Sequence, residues 1–218
     1  MHFIFLCIIG FAYATQCTFI PPSGWEIAQP KTAAPHVKIG FLGKGSTEFR
    51  PSINLALEEG VDVPFKEYIK TVKELHKEDP KARIRDLGTF PMRCGQGALL
   101  EISSSSAWGE IKVLQALFVK DETAYILTAA VLKDDLPKFQ KDLLSAMRTL
   151  QLTDNLCSLI ANADAEEAFT SFFNSLGSTN RDVEWEQYQK KVAEHTYLGP
   201  YWVFLMLQEG YAKIYKRQ

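Results

Sequence analysis

Between Gly109 and Val119 the chain alternates. Ile111, Val113, Leu117 and Val119 share one face with Gln115 among them, and Glu110, Lys112 and Phe118 lie on the other. A period of two predicts a half-buried antiparallel strand. Lys120-Asp121-Glu122 is a short polar turn, and Thr123–Val131, rich in β-branched and aromatic residues, predicts the returning strand. The period then changes. Leu136, Phe139, Leu143, Met147 and Leu150 recur three and four apart, which predicts a helix with one buried stripe. Asp134 or Asp135 is its expected cap, with Pro137 tolerated in the first turn. The unit reads as a hairpin with a helix laid across it.

Upstream, Pro21-Pro22-Ser23-Gly24 is a turn-rich entry to Trp25-Glu26-Ile27, and Val37–Leu42 reads as a strand ending at Gly43-Lys44-Gly45. Ile53–Leu57 is a second strand. Val63-Pro64 opens a helix whose apolar stripe is Phe65, Tyr68, Ile69, Val72, Leu75 and His76, and Pro80 ends it. Arg83–Phe90 and Gln96–Ser103 are further strands, with Ser104–Ala107 as a polar turn. Strands, helix, four strands, helix predicts an α+β layered domain.

After Leu152 the pattern becomes helical. Asp154–Gly177 is expected as helix in one or two pieces. Asp164 and Glu167 form a capping-box-like pair, and Gly177 is the stop. Asp182 is expected to cap a segment carrying Trp185, Tyr188 and Val192. Gly199-Pro200 breaks the chain. For Tyr201–Tyr215 a helix is expected, against a hairpin turning at Glu209-Gly210.

The N-terminus adds a targeting signal. Phe3–Ala14 is almost wholly apolar, no charge precedes Glu26, and Ala12-Tyr13-Ala14 is an A-x-A pattern. Residues 1–16 therefore read as a secretory signal peptide processed at Ala14, although its n-region has only His2. A buried first strand of a cytosolic domain is the structural alternative. Lipidation at Cys17, which would tether the protein to a membrane, is another, with Gln16 in place of the usual small residue. The chain of 218 residues is 46% hydrophobic with a net charge of −2. That fits one sizeable domain with an appendage and gives no field for nucleic acid. Cys7 would leave with the signal. Cys94 and Cys157 are expected as buried free thiols, with a mutual disulfide as the alternative.

Candidate chemistry is sparse. Gly40-x-x-Gly43-x-Gly45-Ser46 resembles a phosphate loop only superficially, since the Gly-Lys-Ser/Thr order is missing, and a hairpin turn is expected. His2, His36, His76 and His195 form no metal pattern. A Cys94 pair with His76 or His36 would need proximity in space. Glu58-Glu59 and Asp134-Asp135 have structural explanations at a strand and a helix start. No catalytic, cofactor-binding or metal-binding residue is assigned. The aromatic set Phe169, Phe172, Phe173, Trp185, Tyr188, Tyr201, Trp202 and Phe204 packs the C-terminal helices or forms an interaction surface. Phe172, Phe173 and Trp202 are the candidate surface residues.

Residues 20–152 resemble the PsbP/Mog1-like family, including its bacterial DcrB-type envelope proteins. The resemblance rests on Pro22-x-Gly24-Trp25, Pro51-Ser52-Ile53-Asn54-Leu55, Phe65 to Tyr68, Gly97-Ala98-Leu99, Lys112-x-x-Gln115 and Tyr125-Ile126-Leu127-Thr128. It implies an α/β/α sandwich around a mainly antiparallel sheet, spanning residues 17–152, with 153–218 as a helical extension. It implies a binding or assembly role rather than catalysis. The expected protein is thus a non-enzymatic exported bacterial envelope protein, periplasmic or lipid-anchored, with a protein partner and no cofactor. A small apolar ligand carrier and a hydrolase or transferase with an unrecognised site are the alternatives.

Overall fold

The computed structural model describes residues 15–28, 36–177 and 180–216. Met1–Ala14, with His2, Cys7, the processing residue Ala14 and all but Thr15 and Gln16 of the signal segment read at residues 1–16, lies outside them.

Chain order is β1 (Gln16–Thr18), β2 (Glu26–Ile27), β3 (Val37–Leu42), β4 (Ser52–Glu59), α1 (Phe65–Lys77), β5 (Arg83–Met92), β6 (Gly95–Ser106), β7 (Gly109–Lys120), β8 (Thr123–Leu132), α2 (Leu136–Arg148), β9 (Gln151–Thr153), α3 (Ala163–Ser175), α4 (Arg181–Ala193) and α5 (Pro200–Tyr215). Seven strands form one antiparallel sheet ordered β2-β3-β4-β8-β7-β6-β5. The expected hairpin is β7–β8, paired from Ile111↔Leu132 to Lys120↔Thr123, and it lies in the middle of the sheet. Its two-residue loop places Asp121 and Glu122 at φ of 50° and 57°, the left-handed twist that suits a tight hairpin.

Each face of the sheet carries a helix. On one, Phe139, Leu143, Ala146 and Met147 of α2 join Phe41, Ile53, Leu55, Leu114, Ala116 and Leu127 in the main core. Burying one such leucine or phenylalanine contributes about 1.5–3 kcal/mol. On the other, Tyr68 and Ile69 of α1 pack with Ala98, Leu100, Ile102 and Leu117. The layers are therefore helix, sheet, helix, as the α+β sandwich reading expects. Strand β7 is not half-buried, because α2 covers Leu114 and Ala116 on the face assigned to Glu110 and Lys112. Two helical layers make both faces interior in mid-strand, and the period of two weakens there.

Several local expectations are corrected. Leu75 is 63% exposed and leaves the stripe of α1, lying on the flank of the helix, while His76 one residue on still faces Gln115 of the sheet. Ser104–Ser106 extend β6, so only Ala107 and Trp108 turn. Asp135 stands at the start of α2 without capping it through its side chain, and a 3-10 turn, Lys133–Asp135, precedes the helix. The side chains that cap α3 and α4 are Asn162, accepting from Ala165 N, and Asn180, accepting from Asp182 N and Val183 N. They sit two residues before the acids read as caps, and an amide oxygen serves as well as a carboxylate there. The β1–β9 ribbon, Gln16↔Thr153 to Thr18↔Gln151, has no counterpart in the sequence reading, being too short for a period.

Candidate functional site

Helix α5 is apolar nearly all round, and two stripes divide it. Trp202, Met206, Gly210 and Ile214 recur four apart and face inward. They join Leu156, Cys157, Ile160, Phe169, Leu176, Tyr188 and Val192 in a second core. Trp202 is fully buried and donates its indole N–H to Leu156 O at 2.9 Å. It is a packing residue, not surface, which corrects its assignment as a contact. Phe172 and Phe173 are half-buried against Tyr188, at ring separations of 6.5 and 5.9 Å, and the Lys213 ammonium lies 4.3 Å from the Phe173 ring centre. Burial pushes the Tyr188 phenol above its usual range, and its O–H donates to Met206 O at 2.7 Å. Helix α5 joins the two cores: its Tyr201 packs edge-on to Phe19 within the main core, 5.9 Å between centroids, and its Leu205 packs against both.

The outer stripe of α5 is Phe204, Gln208, Tyr211 and Tyr215, spaced three or four apart. Tyr211 is 47% exposed and Phe204 36%. Trp185 of α4 meets Tyr211 edge-on at 5.7 Å, and Tyr211 lies 4.8 Å from Tyr215. The Tyr215 hydroxyl donates to Asp182 Oδ1 at 2.9 Å, which ties the end of α5 to α4. Together Trp185, Phe204, Leu207, Tyr211, Ala212 and Lys216 line an open groove of about 700 Å³. Contiguous exposed aromatics of this kind mark interaction surfaces. The aromatic set named from the sequence contains Trp185 and Phe204 but not Tyr211 and Tyr215. The outer spacing of α5, read as a second stripe, was the available signal.

Other candidate residues are not assembled into a reactive group. Cys94 packs against the α2-side core, while His76 stands across the sheet on α1 with Nε2 3.4 Å from Gln115 Oε1. His36 precedes β3, which four strands separate from β5. His195 is buried between the rings of Phe169 and Trp202. Cys17, Cys94 and Cys157 are free thiols. Burial pushes Cys17 up to about 12 and Cys94 up to about 11. Thiols held protonated are poor nucleophiles. Among the described residues, no three His, Cys, Asp or Glu side chains converge on a metal position, and no helix is long and apolar enough to cross a membrane.

No protein-family model matches the chain, and no curated protein matches it significantly. Solved structures do. The crystal structure of LpqN from Mycobacterium tuberculosis, described as involved in cell envelope biogenesis, matches with a TM-score of 0.52 at 15% identity, over 66% of this chain and 87% of LpqN. Cyanobacterial PsbP from Synechocystis matches at 0.44 and 11% identity, over 67% and 97%. The Ran-binding protein Mog1p of Saccharomyces cerevisiae matches at 0.42 and 18%, over 62% and 89%. At these identities the likeness is one of fold, and the DcrB-type label rests on the sequence resemblance alone. An antiparallel sheet between helices, shared with LpqN, gives this chain the PsbP/Mog1-like fold that its sequence resembles.

Proposed function

We propose that this chain is a non-enzymatic, exported bacterial envelope protein that binds a protein partner through the α4–α5 groove. The aromatic groove carries this reading. Phe204 and Tyr211 present their rings to solvent beside the half-buried Trp185, on a helix pair whose inner side is already filled. Such rings supply contact area at low entropic cost and dominate the centres of interfaces. The geometry suits an amphipathic segment laid along the groove. Residues 17–152 then act as scaffold and 153–218 as the partner-binding part. Export is supported by the apolar run closing at Ala12-Tyr13-Ala14. The description of LpqN as involved in envelope biogenesis agrees with an envelope address. Cys17 is 5% exposed within the core, so an acyl group on its sulfur would have to leave that site. Cleavage after Ala14 without an anchor at Cys17 is the form of export proposed. Replacing Phe204 and Tyr211 by alanine tests the groove, since a specific partner must be lost while the fold is kept.

A further inference from the structure

The glycines that superficially suggest a phosphate loop have a different use. A Cβ on Gly43 would lie 2.7 Å from the Trp25 ring, and one on Gly45 would lie 2.0 Å from the Phe49 carbonyl oxygen. Both are sites of close approach that only glycine permits. They fold the β3–β4 loop back on itself, so that the Phe49 ring stands 5.8 Å from Trp108 at the β6–β7 tip. That tip is fixed by one hydroxyl: Ser106 Oγ accepts from Trp108 N at 3.1 Å and donates to Gly109 O at 2.9 Å. Ser46 Oγ donates to Asp135 Oδ2 at 2.8 Å, latching the loop to the start of α2. Lys133 Nζ meets Glu110 Oε2 at 2.8 Å and closes the other side. Three segments thus converge at one end of the sheet on a cleft of about 400 Å³, within the range of small-ligand sites.

We propose that this cleft binds a neutral hexose ring of a glycan, stacked on Trp108. The indole is 58% exposed yet braced by Phe49, so its apolar face is held ready in water. The C–H face of a pyranose matches such a ring. Around it stand Ser46, Thr47, Lys133, Asp134 and Asp135, donors and acceptors for sugar hydroxyls. Apart from Trp108, the one large apolar side chain in the wall is Leu132, which is 9% exposed, so the groups beside the indole are mostly polar. Glu110 is matched by two ammoniums, Lys133 at 2.8 Å and Lys112 at 3.7 Å, and Asp134 and Asp135 add two carboxylates, so the balance at the cleft stays on the negative side and disfavours anionic sugars and phosphates. This site is independent of the α4–α5 groove.

The test uses the full chain, labelled with nitrogen-15, and follows the indole resonances of its four tryptophans. Trp108→Phe assigns the relevant one. Maltotriose, cellotriose and tri-N-acetylchitotriose are the neutral probes, and trigalacturonate is the acidic one. At least one neutral probe is expected to shift the Trp108 indole saturably and leave the buried Trp202 unmoved. Trp108→Ala and Asp134→Asn should each weaken binding by about tenfold or more. Trp108 is exposed at a hairpin tip, so its alanine variant keeps the fold. A Trp108 resonance unmoved by every neutral probe up to about 10 mM overturns the proposal, since weak ligands bind in the millimolar range. So does undiminished binding by Trp108→Ala, read on the backbone amide of Gly109 in the same cleft, or trigalacturonate binding as tightly as the neutral sugars.

Discussion

Gly210 lies against the ring of Tyr188 so closely that a Cβ on it would stand 1.9 Å from Cε1 and 2.5 Å from Cδ1. That contact lets α5 sit down on α4, and the Tyr188 hydroxyl then reaches Met206 O, one turn back on the same helix. In an exposed helix, Gly→Ala stabilises by about 1 kcal/mol. Here the sign reverses. The Tyr188 ring is hemmed in by Phe169, Phe172, Phe173 and Trp185 and cannot turn aside. Gly210→Ala is expected to destabilise by about 1–3 kcal/mol or more, read by urea denaturation. A stabilised variant would show that the two helices do not pack at this distance.

Trp202 gives a second test of the same core. Trp202→Phe removes the N–H that satisfies Leu156 O in the interior, an expected loss of about 1–3 kcal/mol. Trp202→Ala adds a cavity and should cost about 3–5 kcal/mol. Surface behaviour, with either variant within about 0.5 kcal/mol of the parent, would restore Trp202 to the contact set.

The β7–β8 turn is strained by its own residues. Asp121 and Glu122 hold φ of 50° and 57°, which costs an L-residue roughly 1–2 kcal/mol. The double change Asp121→Asn, Glu122→Gly supplies the pair this turn prefers. It should raise stability by about 1 kcal/mol, measured as a shift in denaturation midpoint at unchanged slope.

The thiols make a pH prediction. Both Cys17 and Cys94 have an ordinary value of 9.0, raised by burial to about 12 and about 11. Above pH 9 the unfolded chain sheds thiol protons that the folded chain keeps. The stability due to these groups is complete below pH 9 and declines as pH rises toward 11 and 12. At pH 8 a thiol of pKa about 11 is roughly one part in a thousand thiolate, so Cys94 should react with iodoacetamide about two orders of magnitude more slowly than an exposed cysteine. Rapid labelling of Cys94 at pH 8 would contradict its place against the α2 core.

Much of the sandwich was legible because its elements are long and periodic. Leu136, Phe139, Leu143 and Met147 declare α2 by spacing alone, and Thr123–Val131 declares β8 by composition. What the sequence hid depends on neighbours far along the chain. Trp202 and Phe204 are two residues apart on one apolar helix, and only the packing of α4 decides that the first is interior and the second exposed. Gly210, readable as a turn, is a contact that exists only once Tyr188 lies across it. Gly43 and Gly45 likewise acquire meaning from Trp25 and Phe49, not from their mutual spacing. The β1–β9 pair joins residues far apart along the chain through three positions on each side, too few to show a pattern.

The central claim is that the α4–α5 groove receives a protein partner, and site-specific photocrosslinking in envelope fractions tests it most directly. A photoreactive phenylalanine analogue at position 204 should yield one defined protein adduct. The same probe at position 75, an exposed apolar site on α1, should not. Tyr211→Ala in the position-204 protein should reduce that adduct by about tenfold, as expected when an aromatic anchor at an interface centre is removed. No adduct at position 204, or equal adducts at both positions insensitive to Tyr211→Ala, would contradict the account.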